Sequence, residues 1–161
     1  MTFELLEIKP EIIKALKEQG IESPTSIQKK SIPLIKSGKD VIGVSKTGSG
    51  KTASFGVPIL ESIKPGQGLQ VLILAPVREL AVQISNELKK FSKYMRCSIT
   101  TVFGGVALEP QIRDIAKSEI VVGTPGRLLD HLERKNMNLS RISCFVLDEA
   151  DKMVEMGFIE D

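Results

Sequence analysis

Short apolar runs alternate along this chain with longer stretches in which apolar residues recur every three or four positions. The runs at 41–44, 70–75, 98–103, 119–122 and 143–147 are rich in Val and Ile, which predicts parallel strands covered on both faces. Residues 78–92 place Leu80, Ile84, Leu88 and Phe91 at spacings of four, four and three, one apolar stripe of a helix. Pro10 opens a shorter helix that carries Ile12, Ile13 and Leu16, and Gly20 closes it. Strand and helix alternating in this way imply an α/β fold, a parallel sheet sandwiched by helices. Lys64-Pro65-Gly66-Gln67-Gly68 and Arg134-Lys135-Asn136-Met137-Asn138 read as linkers. No repeat, low-complexity tract or internal domain boundary interrupts residues 1–161.

With 161 residues, 42% of them hydrophobic, the chain has enough apolar material for one core. A net charge of +2 is too small to draw in a polyanion from a distance, so any nucleic-acid contact has to be local. Cys97 and Cys144 stand far apart, and the strand-like setting of Cys144 suggests buried thiols in a reducing compartment. The first residues carry acids where a secretory signal needs bases, and no apolar run nears the roughly 18 residues of a membrane span. A cytoplasmic protein is expected.

Two strand ends carry chemistry. Ser45-Lys46-Thr47-Gly48-Ser49-Gly50-Lys51-Thr52 follows the first apolar run. Its glycines let successive N–H groups converge on one anion, Lys51 adds a point charge, and the Thr52 hydroxyl can reach Mg²⁺. Asp148-Glu149-Ala150-Asp151 follows the last run. One carboxylate there can hold the Mg²⁺ shell, and its neighbour can orient the attacking water and take its proton. Each half also has a plainer reading. The glycines can form a tight connection, with Ser45 where the full phosphate-loop pattern asks for Gly, and the acids can open a helix. Their conjunction favours a nucleoside triphosphate site, because open α/β folds bind ligands beyond the carboxyl ends of parallel strands.

With these motifs, Gly20-Ile21-Glu22-Ser23-Pro24-Thr25-Ser26-Ile27-Gln28, Ala75-Pro76-Val77-Arg78-Glu79-Leu80-Ala81, Gly104-Gly105 and Thr124-Pro125-Gly126-Arg127 occur in an order that resembles the N-terminal domain of the DEAD-box RNA helicases. The resemblance implies a RecA-like phosphate-loop NTPase domain over 1–161, with an adenine-recognition segment at 1–29 and an ATP-binding core at 30–161. It implies ATP and Mg²⁺ as cofactors, RNA as partner, and a second RecA-like domain. Thr25 and Gln28 would read adenine, and Phe3, 17 residues before Gly20, would pack on the base. Residues 45–52 would hold the phosphates, Thr52 and Asp148 the metal, and Lys51, Asp148 and Glu149 would be catalytic. Asp151 would couple hydrolysis to interdomain movement. Pro76, Arg78, Gly104, Gly105, Thr124, Pro125, Gly126, Arg127 and Asp130 would face RNA, with Asp130 on a ribose 2′-hydroxyl.

The residues themselves support these roles unevenly. The Gln28 amide can donate and accept, which suits adenine N6 and N7, yet an exposed helix position fits it equally. Arg78 and Arg127 can fork onto phosphate oxygens, and the glycines let backbone N–H groups come close. Turns, a Thr124 helix cap and solvated arginines are the alternatives. His131 reads as helix surface without a role.

Val77 departs from the family's usual Thr, removing one hydroxyl from the RNA side. Ser45 for Ala, Ile21 for an aromatic and Val154-Glu155 for Leu-Asp leave the expected chemistry untouched. The family's Ser-Ala-Thr motif and its arginine fingers lie beyond Asp161, so an N-terminal part of a helicase is expected, with an exposed sheet edge that invites association. Such a part alone would bind nucleotide weakly and not unwind RNA. The competing readings are another phosphate-loop enzyme, such as a DNA translocase, and a non-catalytic nucleotide-dependent RNA-binding module.

Overall fold

In a computed structural model, which describes residues 1–158 and 160, seven α-helices and four strands follow one another among the described residues. The boundary expected at Asp161 lies outside the described residues. In chain order the elements are α1 (Pro10–Glu18), α2 (Ser26–Lys36), α3 (Lys51–Ser62), β1 (Val71–Leu74), α4 (Arg78–Phe91), β2 (Ile99–Val102), α5 (Leu108–Ile115), β3 (Ile120–Gly123), α6 (Pro125–Glu133), β4 (Cys144–Leu147) and α7 (Ala150–Glu155). By the density of their internal packing they form two compact units, residues 1–63 with 87–96, and residues 64–86 with 97–161.

The first unit is helical. Pro10 stands at the first turn of α1, where its missing N–H costs nothing, and Gly20 turns the chain away at φ 74°. Ile12 and Leu16 are fully buried on the inner face of α1. A Cβ on Gly56 would lie 2.6 Å from Leu88 Cδ2, so only glycine lets the end of α4 approach α3 this closely.

The second unit holds the sheet, flanked by helices. All its strands are parallel, in the order β2-β3-β1-β4, with Val71 opposite both Ile120 and Cys144. Central β3 is buried along its whole length, as a strand covered on both faces should be. One side of the sheet packs Leu72, Val102 and Val121 against Ile115, Leu128 and Met137. Gly123 is required here, since a Cβ would meet Val102 O at 2.7 Å and Leu128 Cγ at 2.9 Å.

Two expectations about strands need correction. Residues 41–44 are not among the four strands, and Val41, Ile42 and Val44 are 37%, 96% and 89% exposed. An apolar run becomes a strand only where a neighbour accepts its backbone hydrogen bonds, and this run carries no ladder. β4 is an edge strand and alternates in burial, leaving Phe145 and Leu147 54% and 50% exposed. Its period of two is that of a half-covered strand.

Candidate functional site

The first unit carries the nucleotide motifs. Gly48 and Gly50 adopt φ of 78° and 85°, left-handed values that bend residues 45–50 into a loop ending on the N-terminus of α3. Ser49 N–H donates to Lys46 O, and the Ser45 and Ser49 hydroxyls bond at 2.7 Å, closing that loop. Lys51 and Thr52 open α3, where backbone N–H groups and the helix dipole favour an anion.

Thr25 and Gln28 form a capping box at the start of α2. Gln28 is 1% exposed, so the surface reading of this residue is excluded. Its Oε1 accepts Thr25 N–H at 3.0 Å, and its Nε2 donates to Gly50 O at 3.0 Å. The Thr25 hydroxyl donates to Ser49 O at 2.9 Å. Thr25 and Gln28 therefore both brace the 45–50 loop directly. Phe3 is fully buried.

The acidic box lies in the second unit. Asp148 N–H donates to Leu74 O, which fixes the end of β4, and Asp148 Oδ1 accepts Glu149 N–H at 3.0 Å. Glu149 takes φ 50° and ψ 49°, a left-handed conformation costing about 1–2 kcal/mol for a residue with a Cβ. That bend turns the chain from β4 into α7. The Glu149 carboxylate lies 3.2 Å from Lys152 Nζ, and Asp151 is exposed in the first turn of α7. Among the described residues no three His, Cys, Asp or Glu side chains stand together to cage a metal. Mg²⁺ does not need such a cage, because it takes one or two protein oxygens and fills its shell with phosphate and water.

The motifs expected to face RNA belong to the same second unit and are tied together. The Arg78 guanidinium sits 4.3 Å from the centre of the Phe103 ring. Arg127 donates through both terminal nitrogens to Val106 O at 3.1 Å, just beyond exposed Gly104 and Gly105. Thr124 precedes Pro125 at the start of α6, and its hydroxyl makes no cap hydrogen bond, against the capping alternative. Gly126 is exposed in the first turn. Asp130 accepts from Arg134 Nε at 2.6 Å, and that bond holds its carboxyl below the usual range and ionised. Pro76 and Pro125 are buried.

His131 is fully buried, correcting its reading as helix surface. Its Nε2 bonds Gln111 Oε1 at 2.9 Å, and Gln111 also receives Arg127. The positions were legible: Leu128 and His131, and Gln111 and Ile115, share the inner faces of α6 and α5. Burial, and then the nearby Arg127 charge, lower the His131 pKa below 6.5, while Asp130 opposes and Arg134 reinforces the shift. The unfolded chain therefore takes the proton first as pH falls. Stability is expected to be fully present above pH 6.5 and to decline below it, with the decline flattened in His131→Gln; urea unfolding across that range checks this. An equal decline in the variant would assign it to other groups. Cys97 and Cys144 are free and half-buried, less enclosed than expected. Burial, with the Glu119 carboxylate beside it, pushes the Cys97 thiol up to about 12, and burial raises Cys144, so both are neutral thiols.

Among the described residues no helix is long and apolar enough to cross a membrane. Residues 25–161 match the DEAD/DEAH box helicase family model. The DEAD-box ATP-dependent RNA helicase CshA of Bacillus licheniformis is 47% identical over the whole chain, which spans 34% of that protein. A DEAD box protein from Methanococcus jannaschii superposes with TM-score 0.96 at 42% identity, covering 99% of this chain and 44% of that one. A hypothetical ATP-dependent RNA helicase from Sulfolobus tokodaii gives 0.88 at 40% identity, over 95% of this chain and 45% of its own. This chain thus spans about a third of the curated relative's length and under half of each solved chain. Matched in sequence along its full length and in backbone over nearly all of it, the chain belongs to the DEAD/DEAH box helicase family.

Proposed function

We propose that this chain is the ATP-binding half of an RNA helicase that couples ATP hydrolysis to RNA binding and local duplex unwinding. The observation that carries the reading is the pair of bonds from Thr25 and Gln28 to Ser49 and Gly50, which ties a base-reading amide to a phosphate loop. Gln28 keeps a second N–H and a second lone pair, the donor and acceptor that adenine requires and guanine mismatches. Backbone N–H groups of 46–52 and Lys51 take the β and γ phosphates. Thr52 and Asp148 would hold Mg²⁺, which when bound neutralises charge on the phosphates. Glu149 orients water and accepts its proton, and Asp151 links this chemistry to domain movement.

Arg78, Arg127, Thr124, Asp130 and the backbone at Gly104, Gly105 and Gly126 grip an RNA backbone, with Asp130 on a ribose 2′-hydroxyl. A second RecA-like domain supplies arginine fingers, worth roughly 10³–10⁵ in rate for phosphoryl transfer. Two cysteines without a disulfide fit a reducing compartment such as the cytoplasm.

ATP turnover with and without single-stranded RNA, with nucleotide binding measured on the same sample, tests this reading. The 161-residue chain is expected to bind ATP weakly without RNA-stimulated turnover, and the whole protein to show that stimulation. No stimulation in the whole protein would overturn the reading. Gln28→Ala is expected to weaken ATP binding about tenfold, the loss of roughly 1.4 kcal/mol, and to weaken it more than GTP binding. Equal ATP and GTP affinity in the unsubstituted protein would remove Gln28 from base selection.

A further inference from the structure

Behind Arg127 runs a line of polar side chains that the family's motifs leave out. Asn136 Nδ2 donates to His131 Nδ1 at 3.3 Å, which leaves Nε2 to carry the ring proton. His131 Nε2 then donates to Gln111 Oε1 at 2.9 Å, and this sets which way the Gln111 amide faces. The amide nitrogen is thereby turned to Phe103 O, to which it donates at 2.9 Å. The second lone pair of Oε1 accepts from Arg127 at 3.1 Å. His131 and Gln111 are 0% and 7% exposed, on helix faces that are otherwise apolar.

Each member has one orientation that satisfies its neighbours. Asn136 sets the tautomer, the tautomer sets the amide, and the amide holds both the arginine and the strand end leading into Gly104-Gly105. A buried polar network of this kind is costly when half-satisfied and specifies a single arrangement when complete. An apolar pair would fill the same space with less at stake. We infer that Gln111, with His131 and Asn136 behind it, is a positioning relay that holds Arg127 and the 103–106 loop ready for the RNA backbone. The inference rests on the RNA-binding reading above. A guanidinium already held in place loses less side-chain freedom when it meets a phosphate, which is how the relay strengthens RNA binding without touching RNA.

The test is a double-mutant cycle in the whole protein, read as the RNA concentration giving half-maximal ATP turnover. Gln111→Met is expected to raise that concentration about 3- to 10-fold, the loss of one pre-organised side chain, with kcat and the KM for ATP within about twofold. In an Arg127→Ala background the same substitution is expected to add less than about twofold, because its effect passes through Arg127. Effects that multiply in the double variant would overturn the relay and leave Gln111 a packing residue. Should Gln111→Met fail to fold, Asn136→Ala at a half-exposed position takes its place: a rise of about twofold, absent in the Arg127→Ala background, supports the relay, and no rise overturns it. If Arg127→Ala itself leaves RNA half-saturation unchanged, the RNA-binding reading fails first and the relay with it.

Discussion

Glu149→Gln in the whole protein is expected to lower ATP turnover about 10²- to 10⁴-fold, the usual worth of a positioned general base. Its affinity for ATP is expected to stay within about threefold. The substitution is nearly isosteric, so it tests proton transfer with little change of shape. Glutamine inherits the left-handed backbone at the same cost, and it can still place a carbonyl oxygen where the carboxylate stood. What it loses is a basic oxygen, along with the ion pair to Lys152, an exposed contact of small energetic weight. Single-turnover hydrolysis combined with equilibrium nucleotide binding separates the two quantities. Undiminished turnover would take the general-base role away from Glu149.

Gly50→Ala is expected to destabilise the phosphate loop by about 2–4 kcal/mol, the sum of left-handed strain and unpaired buried groups. At φ 85° an added Cβ is strained whatever the space around it, and that Cβ would lie 2.4 Å from Gln28 Nε2. Gln28 would have to withdraw, leaving Thr25 N–H and one acceptor site of Gly50 O without their partner. Nucleotide affinity is therefore expected to drop by more than about tenfold, since about 1.4 kcal/mol already accounts for that factor. Denaturant unfolding and nucleotide titration check both effects. An unchanged unfolding midpoint would show that the loop tolerates a side chain and that the brace is dispensable.

Much of this architecture was readable from period and punctuation. Leu80, Ile84, Leu88 and Phe91 announced α4, and Pro10 and Gly20 bracketed α1 almost to the residue. Four of five strands fell where short Val- and Ile-rich runs placed them. The fifth, 41–44, shows the limit of such reading, because a strand is a relation between two segments while apolar composition belongs to one. Phe3 illustrates a second limit: its spacing from Gly20 names a position and says nothing of its burial. Gln111 and His131 were hidden for another reason. Their helical spacing marked them as inward-facing, yet their polarity argued for the surface, and only the mutual satisfaction of four groups reconciles the two.

His131 is the chain's one histidine, and it lies a single side chain away from Arg127. Its imidazole therefore gives one set of ring resonances in an unlabelled magnetic-resonance spectrum, free of overlap from any sibling. A shift of those lines on adding RNA would register the state of the arginine from within the core, and no probe would have to be attached to the binding surface.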